Sequence, residues 1–211
     1  MVQNETTPTA TGVARKGRLN VRYLTVTAML SAISFALFFL QFSTPITPSF
    51  LKLDISDLPA LIGSFAMGPV YGVIICLVKN LLHLLITTTG GVGELSNFIL
   101  GAAFVLPAGL LYQRRKNRKS AVLGSILGAV LMAAVSIPSN LFLVYPVYYN
   151  FMPEETILNM YQAILPGMQS ILQSLVVFNA PFTFVKGMLC VVITLLIYKR
   201  ISPLIKGTAR K

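Results

Sequence analysis

Charge is scarce in this chain. Only 11% of its 211 residues are charged, 55% are hydrophobic, and the mean hydropathy is +0.76, which excludes an ordinary soluble domain. Acidic residues are the scarcest class, six against seventeen Lys and Arg, giving a net charge of +11. Elsewhere such a surplus suggests nucleic acid. Here the basic residues form three short clusters divided by long apolar stretches, so nucleic acid is not an expected partner. Cysteine is limited to Cys76 and Cys190, both within apolar runs, with neither a disulfide framework nor metal-ligand spacing. The single histidine, His83, falls short of the ligand count of a zinc site and reads as a polar contact between helices. No G-x-S-x-G elbow occurs, and no serine has an adjacent base. The P-loop pattern G-x-x-x-x-G-K-[ST] is also missing, since the glycine run Gly90–Glu94 has no lysine, so any use of ATP falls to a partner. Without an internal repeat, the inverted-repeat design of many secondary transporters has no support.

What the chain does have is a series of apolar runs long enough for a bilayer core, which needs roughly 20 residues per helix. The expected fold class is therefore all-α integral membrane, a bundle of six transmembrane helices in the lipid bilayer. The runs are Tyr23 to Phe42, a short Leu58 to Met67, Val70 to Thr87, a helix headed by Glu94 and ending before Arg114, Ala121 to about Val144, and Ile171 to Tyr198. Pro45 and Pro48 force an extended connection after the first run, Gly68-Pro69 breaks the second from the third, and the stretch Tyr145 to Gln169 reads as a long outer loop or cap. The first run is too long for a removable signal peptide and lacks a small-residue cleavage site, so it reads as a permanent helix. The domain plan is a tail at 1–22, one membrane domain at 23–200 and a tail at 201–211.

Orientation follows from the basic clusters. Arg15, Lys16, Arg18 and Arg22, then Arg114, Arg115, Lys116, Arg118 and Lys119, then Lys199, Arg200, Lys206, Arg210 and Lys211 make fourteen cations in three segments, while the intervening loops hold only Lys52. The positive-inside rule places all three segments, and both termini, in the cytoplasm.

Charge inside the membrane is a functional hypothesis by default, because a lysine at a helix centre costs about 2.5–3.5 kcal/mol on insertion scales. Lys79 and Lys186 meet this description. Each has a plainer reading as a structural residue, paired with a buried carbonyl or reaching toward an interface. The outer half gathers Lys52, Asp54, Asp57, Glu94, Asn97 and Asn140, with Leu53, Phe98, Phe142 and Tyr145 as apolar neighbours. Such a mixture suits a pocket opening outward, although Glu154 and Glu155 read equally well as solvated loop residues. Ala28, Ala32 and Ala36 recur every four residues on the first helix, a flat strip for another helix of this chain or for a second protein. A membrane-embedded enzyme using Lys79 and His83 is the distant alternative.

Several segments resemble the substrate-binding S components of energy-coupling factor (ECF) vitamin transporters. They are Phe50 to Gly63 followed by Gly68-Pro69-Val70-Tyr71-Gly72, then Lys79-Asn80-Leu81-Leu82-His83, Gly90 to Phe98, and Pro181-Phe182-Thr183-Phe184-Val185-Lys186-Gly187. Within that family they are most similar to the riboflavin-specific members, although the last segment has Thr183 where that pattern has Asn. The resemblance implies capture of a vitamin from outside, an ECF transmembrane coupling subunit and two ATP-binding subunits as partners, and no resident cofactor, since riboflavin is cargo. It implies a location in the prokaryotic cell membrane. The residues expected to meet the ligand are Leu53, Asp57, Lys79, Glu94, Asn97, Asn140, Tyr145, Thr183 and Lys186, and the resemblance implies coupling-subunit contacts at Ala28, Ala32 and Ala36. Another vitamin or nucleobase-like compound on the same fold is the alternative.

Overall fold

The structure, a computed structural model, describes residues 21–206 other than 45, 46, 49, 50, 88 and 89, and from 198 onward only the course of the backbone. Arg15, Lys16, Arg18, Arg210 and Lys211 of the outer basic clusters lie outside the described residues. Among the described residues, five helical stretches are long and apolar enough to cross a membrane: Val21–Phe38, Pro69–Ile86, Val92–Arg114, Arg118–Tyr148 and Ile171–Ile197. Between 28% and 39% of each is buried inside the protein, and their outward faces are apolar, so lipid is the solvent and the protein crosses the cell membrane several times.

Helix α1 (Val21–Phe38) buries Thr27, Leu30, Ser31, Ser34 and Phe38 on one stripe. Its small polar residues satisfy themselves, Ser31 Oγ donating to the Thr27 carbonyl at 2.8 Å and Thr27 Oγ1 to that of Tyr23 at 2.7 Å. Ala28, Ala32 and Ala36 face outward. The connection that follows forms a short antiparallel hairpin, β1 (Phe42–Ser43) and β2 (Lys52–Leu53), pairing Phe42 with Leu53 and Ser43 with Lys52. The sequence pointed only to an extended loop.

Helix α2 (Leu58–Met67) is the short sixth member, and nine of its ten residues are buried. It stops at Gly68, whose φ of 124° takes the chain into a turn closed to most side chains, and Pro69 then starts α3 (Pro69–His83). A 3₁₀ turn over Leu84–Ile86 extends α3. Helix α4 (Val92–Arg114) and helix α5 (Arg118–Ser139) are joined by a short connection in which Asn117 Oδ1 caps α5 by accepting from the Ser120 amide at 2.7 Å. The two helices pack very closely, because Gly124 and Gly128 of α5 lie against the Ala108 and Phe104 carbonyls of α4.

Two π-helical turns interrupt the outer halves of the last two spans. Asn140–Val144 joins α5 to α6 (Tyr145–Tyr148), and Leu175–Asn179 joins α8 (Ile171–Ser174) to α9 (Ala180–Lys206). Each is centred four residues before a proline, Phe142 before Pro146 and Val177 before Pro181. Proline supplies no N–H to the carbonyl four residues back and clashes with it, so the ladder widens there. The expected long loop contains helix α7 (Glu154–Gln162), which packs Ile157 and Tyr161 with Tyr145, Met168, Ile171, Leu175 and Phe178 as a second core. This is the cap. The main core lies between α2, α3, α4, α5 and α9, around Leu61, Ile75, Phe104, Val105, Met132 and Val191. At the chain's end α9 runs through Lys206, past the boundary expected at 200.

Candidate functional site

A cleft of about 180 Å³ opens between the hairpin, α4, the two π turns and α9. Its apolar lining comes from Leu51, Leu100, Met132, Val144 and Phe182, with the rings of Tyr145 and Tyr148. Its polar lining comes from Asn97, Asn140, Asn179, Thr183, Lys186, Ser96 and Lys52. The π turns present Asn140 and Asn179 here, one from each interrupted span.

Beneath the cleft, between it and the main core, lies a buried ion network. Lys186 Nζ donates to Asp54 Oδ2 at 2.7 Å and stands 3.7 Å from Asp57 Oδ2. Lys79 is fully buried and donates to Asp57 Oδ1 at 2.5 Å and to Ser56 Oγ at 2.7 Å. The Ser56 hydroxyl and amide donate in turn to Asp54 Oδ1, at 2.6 and 3.0 Å, and Ser34 Oγ donates to the Ser56 carbonyl. Two lysines thus meet two aspartates, which is how each charge is tolerated away from water. Burial alone would raise the Asp54 carboxyl, but the ammonium groups of Lys186 and Lys79 and the hydrogen bonds from Lys186 and Ser56 bring it down from 3.8 to about 2.

Of the nine residues expected to meet a ligand, the cleft brings together Asn97, Asn140, Tyr145, Thr183 and Lys186. It does not include Leu53, Asp57, Lys79 or Glu94. Leu53 is turned by the hairpin register into a lateral groove with Val177, Phe178, Pro181 and Val185. Asp57 and Lys79 lie beneath the cleft, each consumed by the other's charge. Glu94 is buried between α3 and α4, its Oε1 2.7 Å from His83 Nδ1, and borders a second groove with Leu77, Asn80, Leu81 and Phe98. The expected apolar neighbour Phe142 is 72% exposed and stands outside the cleft. Asp54 and Asp57 are not outward-facing loop acids but 4% and 1% exposed, because the two helix lysines require counter-charges.

Sequence reasoning missed Asn179 and the cap residue behind it. Tyr161 donates to Asn179 Oδ1 at 2.7 Å, and the Tyr161 and Tyr145 hydroxyls are 2.7 Å apart. The available signal was Asn179-Ala180-Pro181, an amide at the end of a stretch that a proline must distort. For Asp54 the signal was arithmetic, since two membrane lysines call for two carboxylates.

The arrangement defines a membrane protein with a ligand-sized cleft near one end of a six-helix bundle. Residues 22–198 match the family described as ECF transporter, substrate-specific component, and the chain belongs to that family. It is 35% identical over 187 residues to the riboflavin transporter RibU of Staphylococcus aureus (strain TCH60), covering 89% of this chain and 93% of that protein. It is 31% identical to the riboflavin transporter FmnP of Bacillus subtilis (strain 168), covering 89% and 96%. Among solved structures it is similar to one described as the S component of a bacterial ECF transporter, with a TM-score of 0.70, 33% identity and coverage of 89% and 99%. It shares its fold with ThiT from Listeria monocytogenes, with a TM-score of 0.61 at 13% identity and coverage of 88% and 97%.

Proposed function

We propose that this chain is the riboflavin-binding S component of an ECF transporter, taking the vitamin from outside the cell into the cleft. The observation that carries the reading is the composition of the cleft lining. Leu51, Leu100, Met132, Phe182 and the tyrosine rings supply apolar and aromatic surface, and Asn97, Asn140, Thr183 and Lys186 supply polar groups. A flat isoalloxazine needs the first, and its pyrimidine edge and ribityl hydroxyls need the second. The riboflavin transporters of Staphylococcus aureus and Bacillus subtilis, similar over nearly the whole chain, support it further. Riboflavin is cargo, and the reading requires neither a resident cofactor nor a metal.

Transport then depends on partners. With no P-loop in its sequence, the chain binds and delivers, while a transmembrane coupling subunit and two ATP-binding subunits supply the energy. Ala28, Ala32 and Ala36, an outward strip without bulky side chains on α1, form the surface for the coupling subunit. The basic clusters put that module's ATP-binding side in the cytoplasm and the cleft outside.

The test is direct. Protein purified in detergent from rich medium should be yellow, and flavin-free protein should quench the fluorescence of added riboflavin in a saturable way. A colourless preparation that quenches no riboflavin rejects the assignment and points to another vitamin on the same fold. Replacing Ala28 and Ala32 with Trp should abolish co-purification with the coupling subunit and spare riboflavin binding; intact co-purification removes the strip from the interface.

A further inference from the structure

Arg114, Arg115, Lys116, Arg118 and Lys119 are five exposed cations within six residues, where α4 ends and α5 begins. Among the described residues no ion pair engages any of them. The described acids are elsewhere: Asp54 and Asp57 belong to the buried network, Glu94 stands at the opposite end of α4, and Glu154 and Glu155 are on the cap. Sidedness alone would be met by cations anywhere in the connection. Two of these instead stand in the first turn of α5, which holds no acid, at the end of a helix whose dipole favours anions and disfavours cations. An external anion resolves that conflict.

Beside the same two side chains the surface turns apolar. Arg118, Lys119, Val122 and Leu123 line one shallow groove on α5, each cation four residues from an apolar partner and so on the same face of the helix. Leu123 is 63% exposed, and exposed apolar surface continues through Leu127 and Val130. From Lys119 to Val130 the helix rises roughly 16 Å, half of a ~30 Å hydrocarbon core, so the stripe spans one leaflet. This face also stands apart from the strip assigned to the coupling subunit, because α1 packs on α2 and α3 while α5 packs on α4 and α9.

We propose that this end of α5 binds an anionic phospholipid of the cytoplasmic leaflet, its phosphate on Arg118 and Lys119 and one acyl chain along Val122, Leu123 and Leu127. Arg114, Arg115 and Lys116 add to the field that draws the headgroup. A zwitterionic phospholipid offers the same chain but carries its own ammonium, and gains less from the cluster.

The inference stands apart from the riboflavin reading, and its probe is phosphatidylglycerol. Because the chain contains no tryptophan, one placed on the groove reports that position alone. Leu123→Trp protein is reconstituted in phosphatidylcholine bilayers that contain brominated phosphatidylglycerol or brominated phosphatidylcholine, and quenching of the indole measures which lipid lies against it. At low salt phosphatidylglycerol should be preferred about 5-fold or more. Adding Arg118→Gln and Lys119→Gln should bring the preference close to one. A control, Leu85→Trp, 83% exposed on the turn that extends the far end of α3, should show none. Equal quenching by the two lipids at Leu123→Trp overturns the proposal, and so does a preference that survives loss of the two cations, which is then diffuse attraction and not a site. Equal quenching together with lost co-purification of the coupling subunit in Arg118→Gln/Lys119→Gln gives the cluster to a protein partner instead. If Leu123→Trp does not fold, Leu127→Trp, one turn along, takes its place.

Discussion

Lys186 Nζ donates to Asp54 Oδ2 at 2.7 Å across 132 residues of sequence, fastening the last helix to the loop whose Leu51 and Lys52 form part of the cleft wall. Lys186 itself lines the cleft. One ion pair therefore ties together two segments that both line the cleft.

Removing one member of a buried pair leaves the other charge unpaired, at a cost of about 3–5 kcal/mol. Asp54→Ala should accordingly melt well below wild type in detergent. Asp54→Ala combined with Lys186→Met removes both charges and should recover most of the loss. A double variant as unstable as the single one would show that the pair is not the source.

The same carboxylate sets an acid limit. Because Asp54 is held at about 2, below its ordinary 3.8, the folded state favours its charged form. Its contribution to stability is complete above about pH 4 and is lost as pH falls toward 2. Melting temperature followed from pH 6 to pH 2.5 should decline below pH 4, and less steeply in Asp54→Asn. Parallel curves for the two proteins would exclude Asp54 as the group responsible.

Close helix packing makes a third prediction. A Cβ on Gly128 would overlap the Phe104 carbonyl, whereas one on Gly167, in the connection after α7, meets nothing within 4 Å. Gly128→Ala should destabilise by about 1–3 kcal/mol through forced separation of α4 and α5. Gly167→Ala should melt within a degree or two of wild type. Equal melting temperatures for all three proteins would contradict the packing argument.

Orientation is checked on intact cells. With Cys76 and Cys190 replaced by Ser, a membrane-impermeant thiol reagent should label Thr156→Cys on the cap and leave Lys116→Cys, between α4 and α5, unlabelled until the cells are opened. The opposite pattern would place the cleft in the cytoplasm.

The membrane class, the short second helix and the break at Gly68-Pro69 were all legible in the chain, because they are local. A run of apolar residues is apolar whatever surrounds it, and a proline removes its N–H wherever it lies. Asn97, Asn140, Thr183 and Lys186 stood out for the same reason, as polar groups in apolar runs. Partnership was not legible. Lys79, Asp57 and Glu94 have the residue types of a binding site, yet folding joins Lys79 to Asp57 and Glu94 to His83 and so withdraws them from the cleft. Asp54 read as one of the polar groups around an outward-opening pocket and is a buried counter-ion. Asn179 reaches the cleft from a π turn, and a tyrosine from the cap bonds to it there. Sequence determined which groups water would have to give up. Only the tertiary structure decided which of them compensate one another and which remain for a ligand, since hydrogen bonds and ion pairs act over about 3 Å between residues that lie far apart in the chain.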